Sequence, residues 1–294
     1  MVERLRAECI QCLLNQQLDK VPEDTPNETR VNYMQAVLKR IGEATIETSA
    51  PVLVREISGI QKEIFGCEYD YSQIKKHFNQ VMLEKEGSIA QKIENAKDSL
   101  KCAIQYSMTG NYIDFGAMKN VDEVYLDELL NRSEENIVNP VEYQSLQKDL
   151  AEAEQIAFLT DNCGEIVLDK LLIKEIQKKF PSVKLQVIVR GGEVLNDATI
   201  TDARQIGMEE IVPVIANGNN IAGTCLEELS EEAYELLHNA DVILAKGQAN
   251  YETLRKCGLN IYYIFMCKCD LFAKTFQVPK YTGMLINERH CRHI

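Results

Sequence analysis

The amino-acid sequence predicts an α/β protein in two parts: a helical domain over residues 1–150, then a three-layer α/β/α domain over residues 151–294 with a mostly parallel sheet. Three observations carry this reading. The chain has 294 residues and is 45% hydrophobic, enough to bury a sizeable core. Apolar residues keep helical spacing through almost all of the first half. From Glu154 onward the period changes, and short strand-like runs alternate with helical ones, as in a parallel sheet covered on both faces. There is no internal repeat and no low-complexity segment.

Taken in order, the first helix is expected over Arg4 to Lys20. Thr25-Pro-Asn-Glu28 is a start signal, with Thr as N-cap, Pro at the first helical position and Glu at the third. It opens a run to about Ala44. Further helices are expected from Ala50 to about Gly66, from Ser72 to Glu86 and from Ser88 to Met108. Gly110-Asn-Tyr-Ile-Asp-Phe-Gly116 breaks the pattern, and two short helices follow, Asp122 to Arg132 and Val141 to Ala153. Strands are expected at Ile156–Thr160, Lys184–Arg190, Glu210–Val214, Asp241–Lys246 and Asn260–Met266, and Ile166 to Phe180 is a helix. The Gly- and Asn-rich loop Ile215 to Thr224 is expected near the site.

Charge and composition exclude several functions. The net charge is −13, and no Lys/Arg cluster could track a nucleic-acid backbone. No apolar run has the length of a membrane span, and Met1-Val-Glu-Arg-Leu-Arg6 lacks a signal-peptide core. Ten cysteines are too few for a secreted disulfide scaffold of this length. A reduced, cytoplasmic protein is expected. Oligomeric state cannot be read from the sequence.

Ligands of open parallel sheets sit beyond the carboxyl ends of the strands, and polar residues gather there. The first strand runs into Asp161-Asn162, and Gly164 and Glu165 then open a helix whose N-terminal N–H groups favour an anion. The second delivers Arg190-Gly-Gly and then Asn196 and Asp197. Val242-Ile-Leu-Ala245 runs into Lys246-Gly-Gln-Ala-Asn250. Hard oxygen ligands of this kind suit Mg or Mn, with Co or Ni possible once water completes the shell. Each piece also has a plainer reading. Asp161-Asn162 and Asn196-Asp197 can each simply cap a helix, and Glu165 in a first turn is favoured by the dipole anyway. Lys246 can be a surface lysine, and Gly247 can merely close a tight turn. The coincidence of all three at strand ends outweighs these separate readings.

Together, Asp161-Asn-Cys-Gly-Glu165, Asn196-Asp-Ala-Thr-Ile-Thr-Asp202 and Ala245-Lys-Gly-Gln-Ala-Asn-Tyr-Glu252 resemble the damage-control phosphatases, also known as domain of unknown function 89. Gly110-Asn-Tyr-Ile-Asp114 matches that family's Gly-Asn-x-x-Asp segment, and Glu8-Cys-x-x-Cys12 resembles the N-terminal signature of its prokaryotic subfamily. Five motifs in register span nearly the whole chain. One departure is Cys163, where the family usually has Ala; it reads as a small filler.

The resemblance implies a helical domain plus a Rossmann-like α/β/α domain. It also implies one divalent metal ion (Mn, Co, Ni or Mg) held by Asp161, Asn162 and Asp197, and a phosphate held by Lys246. It places Asn111 and Asp114 facing the cleft, towards sugar hydroxyls or the metal's water. The substrate would be a small phosphorylated metabolite, either a sugar phosphate or a damaged phosphometabolite.

The chemistry expected is metal-assisted hydrolysis of a phosphomonoester. Lys246 and N–H groups near Gly247 would offset charge on the phosphoryl oxygens, with Glu165, Arg190 and Asn250 also near the substrate. Asp161 is the preferred ligand and a candidate base, with Asp202 and Glu165 as other candidate bases. A phospho-aspartate route is the variant. Two other classes stay open: an S-adenosylmethionine-dependent carboxylate methyltransferase, although the first strand lacks a Gly-rich turn, and a non-catalytic metal- or sugar-phosphate-binding protein.

Cys9 and Cys12 share a helix face. They could bind zinc with Cys267 or Cys269 or act in redox chemistry, but buried small apolar residues are the favoured reading. His77, His238, His290 and His293 show no ligand spacing, and disorder is expected at His290-Cys-Arg-His293.

Overall fold

The structure, a computed structural model, describes residues 3–66, 69–116 and 121–293. Met1 and Val2, on which the expectation about a signal-peptide core partly falls, lie outside the described residues, as do the side chains of Arg292 and His293. The chain divides into two compact units, residues 1–70 and 71–294. The boundary expected near 150 therefore does not coincide with the division by packing. Periodicity identifies helices but not the core they join, and those after Asp70 pack on the sheet.

The first unit holds α1 (Ala7–Lys20), α2 (Asn27–Gly42) and α3 (Ala50–Phe65) around a core that includes Leu13, Tyr33, Val37, Leu53 and Ile57. The expected Thr25 cap is not formed. The residue before α2 is Pro26, and no side chain caps the helix. Gly66 ends α3 in the left-handed conformation. Cys12 is exposed and Cys9 is half-buried, which corrects the reading of both as buried filler.

The second unit opens with α4 (Ser72–Asn95), α5 (Ser99–Gly110), α6 (Glu123–Asn131) and α7 (Pro140–Glu152). α4 runs unbroken through Gly87, where a helix end was expected. Phe78, Met82, Ile89 and Ile93 keep one buried face across that glycine, so packing outweighs its roughly 1 kcal/mol helix penalty. The sheet elements follow: β1 (Gln155–Leu159), α8 (Glu165–Lys179), β2 (Lys184–Val189), α9 (Ile200–Gln205), β3 (Val214–Ala216), α10 (Glu231–Asn239), β4 (Val242–Lys246), α11 (Gln248–Leu254), β5 (Ile261–Cys267), α12 (Asp270–Phe276) and β6 (Thr282–Asn287). The third strand lies later than the expected Glu210–Val214, because Met208–Glu210 coils into a 3-10 turn.

The sheet order is β3-β2-β1-β4-β5-β6. Its first five strands pair in parallel, and β6 returns antiparallel beside β5 as an edge strand that the sequence reading did not assign. Side chains alternate between the faces. Ile156, Phe158, Val242 and Leu244 pack in the layer that holds α4, α5 and α8. Ala157, Leu159, Ile243 and Ala245 face α10, α11 and α12. This is the predicted three-layer α/β/α arrangement. The strand order reverses between β1 and β4, so their carboxyl ends flank the switch point where such sheets hold ligands. Residues 290–293 are not loose as expected: Glu288–His293 form a 3-10 helix, Cys291 is buried, and His290 pairs with Glu142 at 2.8 Å. No helix among the described residues is long and apolar enough to cross a membrane.

Candidate active site at the carboxyl edge of the sheet

The turn after β1 carries Asp161 and Asn162, and the backbone zips it to the segment after β2. Asn162 bridges Asp197 in antiparallel fashion, the N–H of Ala198 donates to Asp161 O at 2.7 Å, and that of Cys163 donates to Asn196 O at 2.8 Å. Two stretches 35 residues apart thus deliver two carboxylates and an amide to one place. Arg190 lies between the acids, donating from Nε to Asp197 Oδ2 at 2.7 Å and from Nη2 to Asp161 Oδ1 at 3.4 Å.

A second shell of bonds holds Asp161 from the α5 side. The Asn111 amide donates to Asp161 Oδ2 at 3.1 Å and to both oxygens of Glu165, while its own oxygen accepts from Met266 N–H at 2.9 Å. Asn162 Nδ2 donates to the same two acids. Strand alternation aims Lys246, the last residue of β4, into the α5–α8 layer. There it meets Glu165 Oε1, Asp169 Oδ1 at 3.0 Å and Ser107 O at 3.0 Å, and all three charged groups are fully buried. Ser107 also donates to Asp169 Oδ1 at 2.8 Å.

Of the expected site residues, Asp161, Asn162, Glu165, Arg190, Asp197, Asn111, Lys246 and Gly247 meet at this switch point. Asn250 reaches it differently. Its amide donates to Thr160 O and Lys246 O, splinting β1 to β4, and its oxygen accepts from Thr224. Asp114 stands beyond this cluster, with Oδ2 2.6 Å from Lys268 Nζ and Oδ1 accepting from Gly116 N–H. Asp202 is no candidate base. It closes a capping box on Thr199 and pairs with Lys75 at 2.8 Å and with Asn79 at 2.9 Å. In the Gly/Asn loop, Asn217 is buried and accepts from Gly191 N–H at 2.7 Å.

One expectation about main-chain donors is corrected. The start of α8 offers no spare N–H. That of Asn162 goes to Glu165, that of Gly164 to Asn79 Oδ1 at 2.6 Å, and those of Glu165, Ile166 and Val167 to carbonyls of the same turn. The N–H of Gly247 donates to Ile264 O at 3.0 Å. Asp169, Ser107, Asn79 and Lys268 were missed. Only Asp169 left a sequence signal, lying four residues after Glu165 on the same helix face.

Electrostatics follow from burial. Burial, then Asp197 and Glu165, pushes the Asp161 carboxyl well above its ordinary value against the pull of Arg190. Burial lifts Asp197 to about 6 and Asp169 to about 7, although Arg190 and Lys246 respectively pull them down. Burial also opposes the charge on Lys246, but Asp169 and Glu165 outweigh it and raise its pKa. Cys163 is fully buried and its thiol is pushed up by burial, the state of a small inert filler.

A pH effect follows. Folded Asp169 titrates near 7, against 3.8 when unperturbed, so between those values the native state holds a proton the unfolded chain has lost. That contribution to stability is lost as pH rises from about 4 to about 7. The Asp169→Asn protein should show a shallower fall of melting temperature between about pH 4 and 7 than the wild type. Parallel curves would refute the raised value.

A doubly wound sheet with buried acids, an amide and cations gathered at its switch point defines a ligand-handling α/β protein of Rossmann-like type. Residues 5–284 match the damage-control phosphatase ARMT1-like domain, and the chain belongs to that family. A damage-control phosphatase of Archaeoglobus fulgidus is 35% identical over 221 residues, covering 74% of this chain and 75% of the relative. A damage-control phosphatase of Pyrococcus horikoshii is 27% identical over 98% of both chains. An uncharacterized protein of Methanocaldococcus jannaschii is 29% identical over 96% of this chain and 95% of its own. The crystal structure of a DUF89 family protein from Pyrococcus horikoshii superimposes with a TM-score of 0.76 at 25% identity, covering 97% of this chain and 99% of that one.

Proposed function

We propose that the chain is a metal-dependent phosphatase that hydrolyses phosphomonoesters of sugar phosphates or damaged phosphometabolites. The observation that carries this reading is the backbone bridge between Asn162 and Asp197, which brings Asp161, Asn162 and Asp197 together beside Arg190. The donor set fits one divalent cation: two carboxylates and an amide are hard oxygen ligands for Mg, Mn, Co or Ni. Among the described residues, Asp197 Oδ1 and Asn162 Oδ1 accept no hydrogen bond from the protein, so both are available as ligands. Burial without a cation makes Asp161 and Asp197 hold protons more tightly, and a cation there would offset that cost.

When bound, the cation would polarise a phosphoryl oxygen and lower the pKa of water. Asp161 is the base best placed for that water, because Asn111, Asn162 and Gly247 fix its carboxylate. Glu165 is the less suited candidate, since its oxygens are spent on Asn111, Asn162 and Lys246. Arg190 holds the two acids apart and in register, and Lys246 pairs with Glu165 and Asp169 behind them. The purified protein, loaded in turn with Mg, Mn, Co and Ni, should release phosphate from at least one of a panel of sugar phosphates. No release with any metal would sink this reading.

A further inference from the structure

The turn that carries Asp161 and Asn162 is held in a costly backbone shape. The N–H of Glu165 donates to Cys163 O at 2.8 Å, and Gly164 between them sits at φ 70°, ψ −54°. This is a γ-turn of the rare, strained form. Such a conformation persists only where its surroundings over-determine it. Part of the hold is the backbone bridge to Asp197 and Ala198. The rest comes from α4. The N–H of Gly164 donates to Asn79 Oδ1 at 2.6 Å, and a Cβ at Gly164 would lie 3.1 Å from Phe78 O.

Asn79 is fully buried, with both its donors and its oxygen engaged. Its Nδ2 donates to Asp202 Oδ1 at 2.9 Å and to Gln205 Oε1 at 2.9 Å. One turn earlier on the same helix face, Lys75 pairs with Asp202 at 2.8 Å and with Glu193 at 2.6 Å. Asp197 lies between Glu193 and Asp202 along the chain. One face of α4 therefore grips both arms of the acid cluster. Asn79 bonds to the turn 161–164 and, at Asp202, to the arm 193–202, which Lys75 holds as well.

Resting on the metal-site reading above, we propose that Asn79 is a positioning residue that sets how tightly Asp161, Asn162 and Asp197 hold the cation. It touches neither cation nor substrate. Its oxygen keeps the γ-turn closed, and its donors tie that turn to the arm that delivers Asp197. Without Asn79 the N–H of Gly164 is left buried and unpaired. The turn then relaxes by rotating the peptide between Cys163 and Gly164, which shifts Asp161 and Asn162 against Asp197. Groups that orient metal ligands in this way typically carry about ten- to a hundredfold of the metal affinity.

The test uses the full chain, freed of metal by a chelator and titrated with Mg, Mn, Co and Ni in turn. Metal affinity is read by calorimetry and the melting temperature is taken without metal. Asn79→Leu keeps the volume and removes the acceptor, and Asn79→Ala stands in should it not fold. Either should weaken the metal about tenfold or more. Met82→Ala is the control, since it empties a buried position three residues further along α4. It should lower the melting temperature while holding the metal within about threefold of the wild type. The exchange of Asn79→Asp with Asp202→Asn in one chain is the rescue. It keeps an acceptor on the N–H of Gly164, a donor between the two side chains and a negative charge beside Lys75, and should return the affinity to within about threefold. Unchanged affinity in the Asn79 variants overturns the proposal and leaves the metal reading standing. Equal weakening in Met82→Ala, or an exchange no better than the single variants, also overturns it. If the wild type binds none of the four metals, the metal reading itself fails and the positioning role falls with it.

Discussion

Asp161→Asn is expected to lower turnover of the metal-loaded protein by about a thousandfold or more while moving the melting temperature little. The two halves of that result have separate causes. Asn is isosteric with Asp, so the bonds from Asn111 and Asn162 can persist on its oxygen. The lost contact is Arg190 Nη2, already long at 3.4 Å, and Arg190 keeps Asp197 at 2.7 Å. Against that loss, the substitution removes a buried charge that burial, Asp197 and Glu165 all disfavour. The stability terms thus oppose each other, and because Arg190 keeps Asp197 the substitution leaves no buried charge unpaired. Turnover has no such compensation. A neutral amide is a weaker ligand for a divalent cation and cannot accept a proton from water. Calorimetry should show weaker metal binding alongside the kinetic loss, and Asp197→Asn should behave alike. Retention of more than a tenth of wild-type turnover by Asp161→Asn would mean that the reaction centre lies elsewhere.

How much of this was legible in the sequence depended on whether a residue's role is local. The first, second, fourth and fifth strands and most helices declare themselves through period, and Asp161, Asn162 and Asp197 through position at strand ends. β6 escaped because Thr282–Asn287 is a short edge strand whose partner, β5, is chosen by tertiary pairing. The domain boundary escaped for a similar reason, since amphipathic helices do not state which core they cover. Lys246 was found as a cation, but its saturation depends on Asp169 and on a carbonyl of α5, 139 residues earlier in the chain. Asn79, which caps the turn at Gly164 from α4, carries no motif at all.

Gly247→Ala is the substitution expected to do most damage, and it separates two effects that glycine combines here. The residue sits at φ 80°, ψ 156°, a backbone region essentially reserved for glycine. A side chain there costs about 1–3 kcal/mol from the backbone alone. In addition, a Cβ at Gly247 would lie 1.9 Å from Asp161 Oδ2 and 2.1 Å from its Cγ, so the carboxylate or the turn must shift. Gly258 provides the control. Its φ is also positive, at +87°, but a Cβ there would meet nothing within 4 Å. Gly258→Ala should therefore report the backbone cost alone: a melting temperature a few degrees lower, at about 2–4 °C per kcal/mol, with turnover intact. Gly247→Ala should melt lower still, bind metal more weakly and lose turnover by about a hundredfold or more. Displacement of a catalytic carboxylate by an ångström is costly because the reacting groups depend on being held in place. If Gly247→Ala bound metal and turned over substrate like Gly258→Ala, the close approach of Asp161 to this turn would have no part in catalysis, and the switch point between β1 and β4 would not be the site.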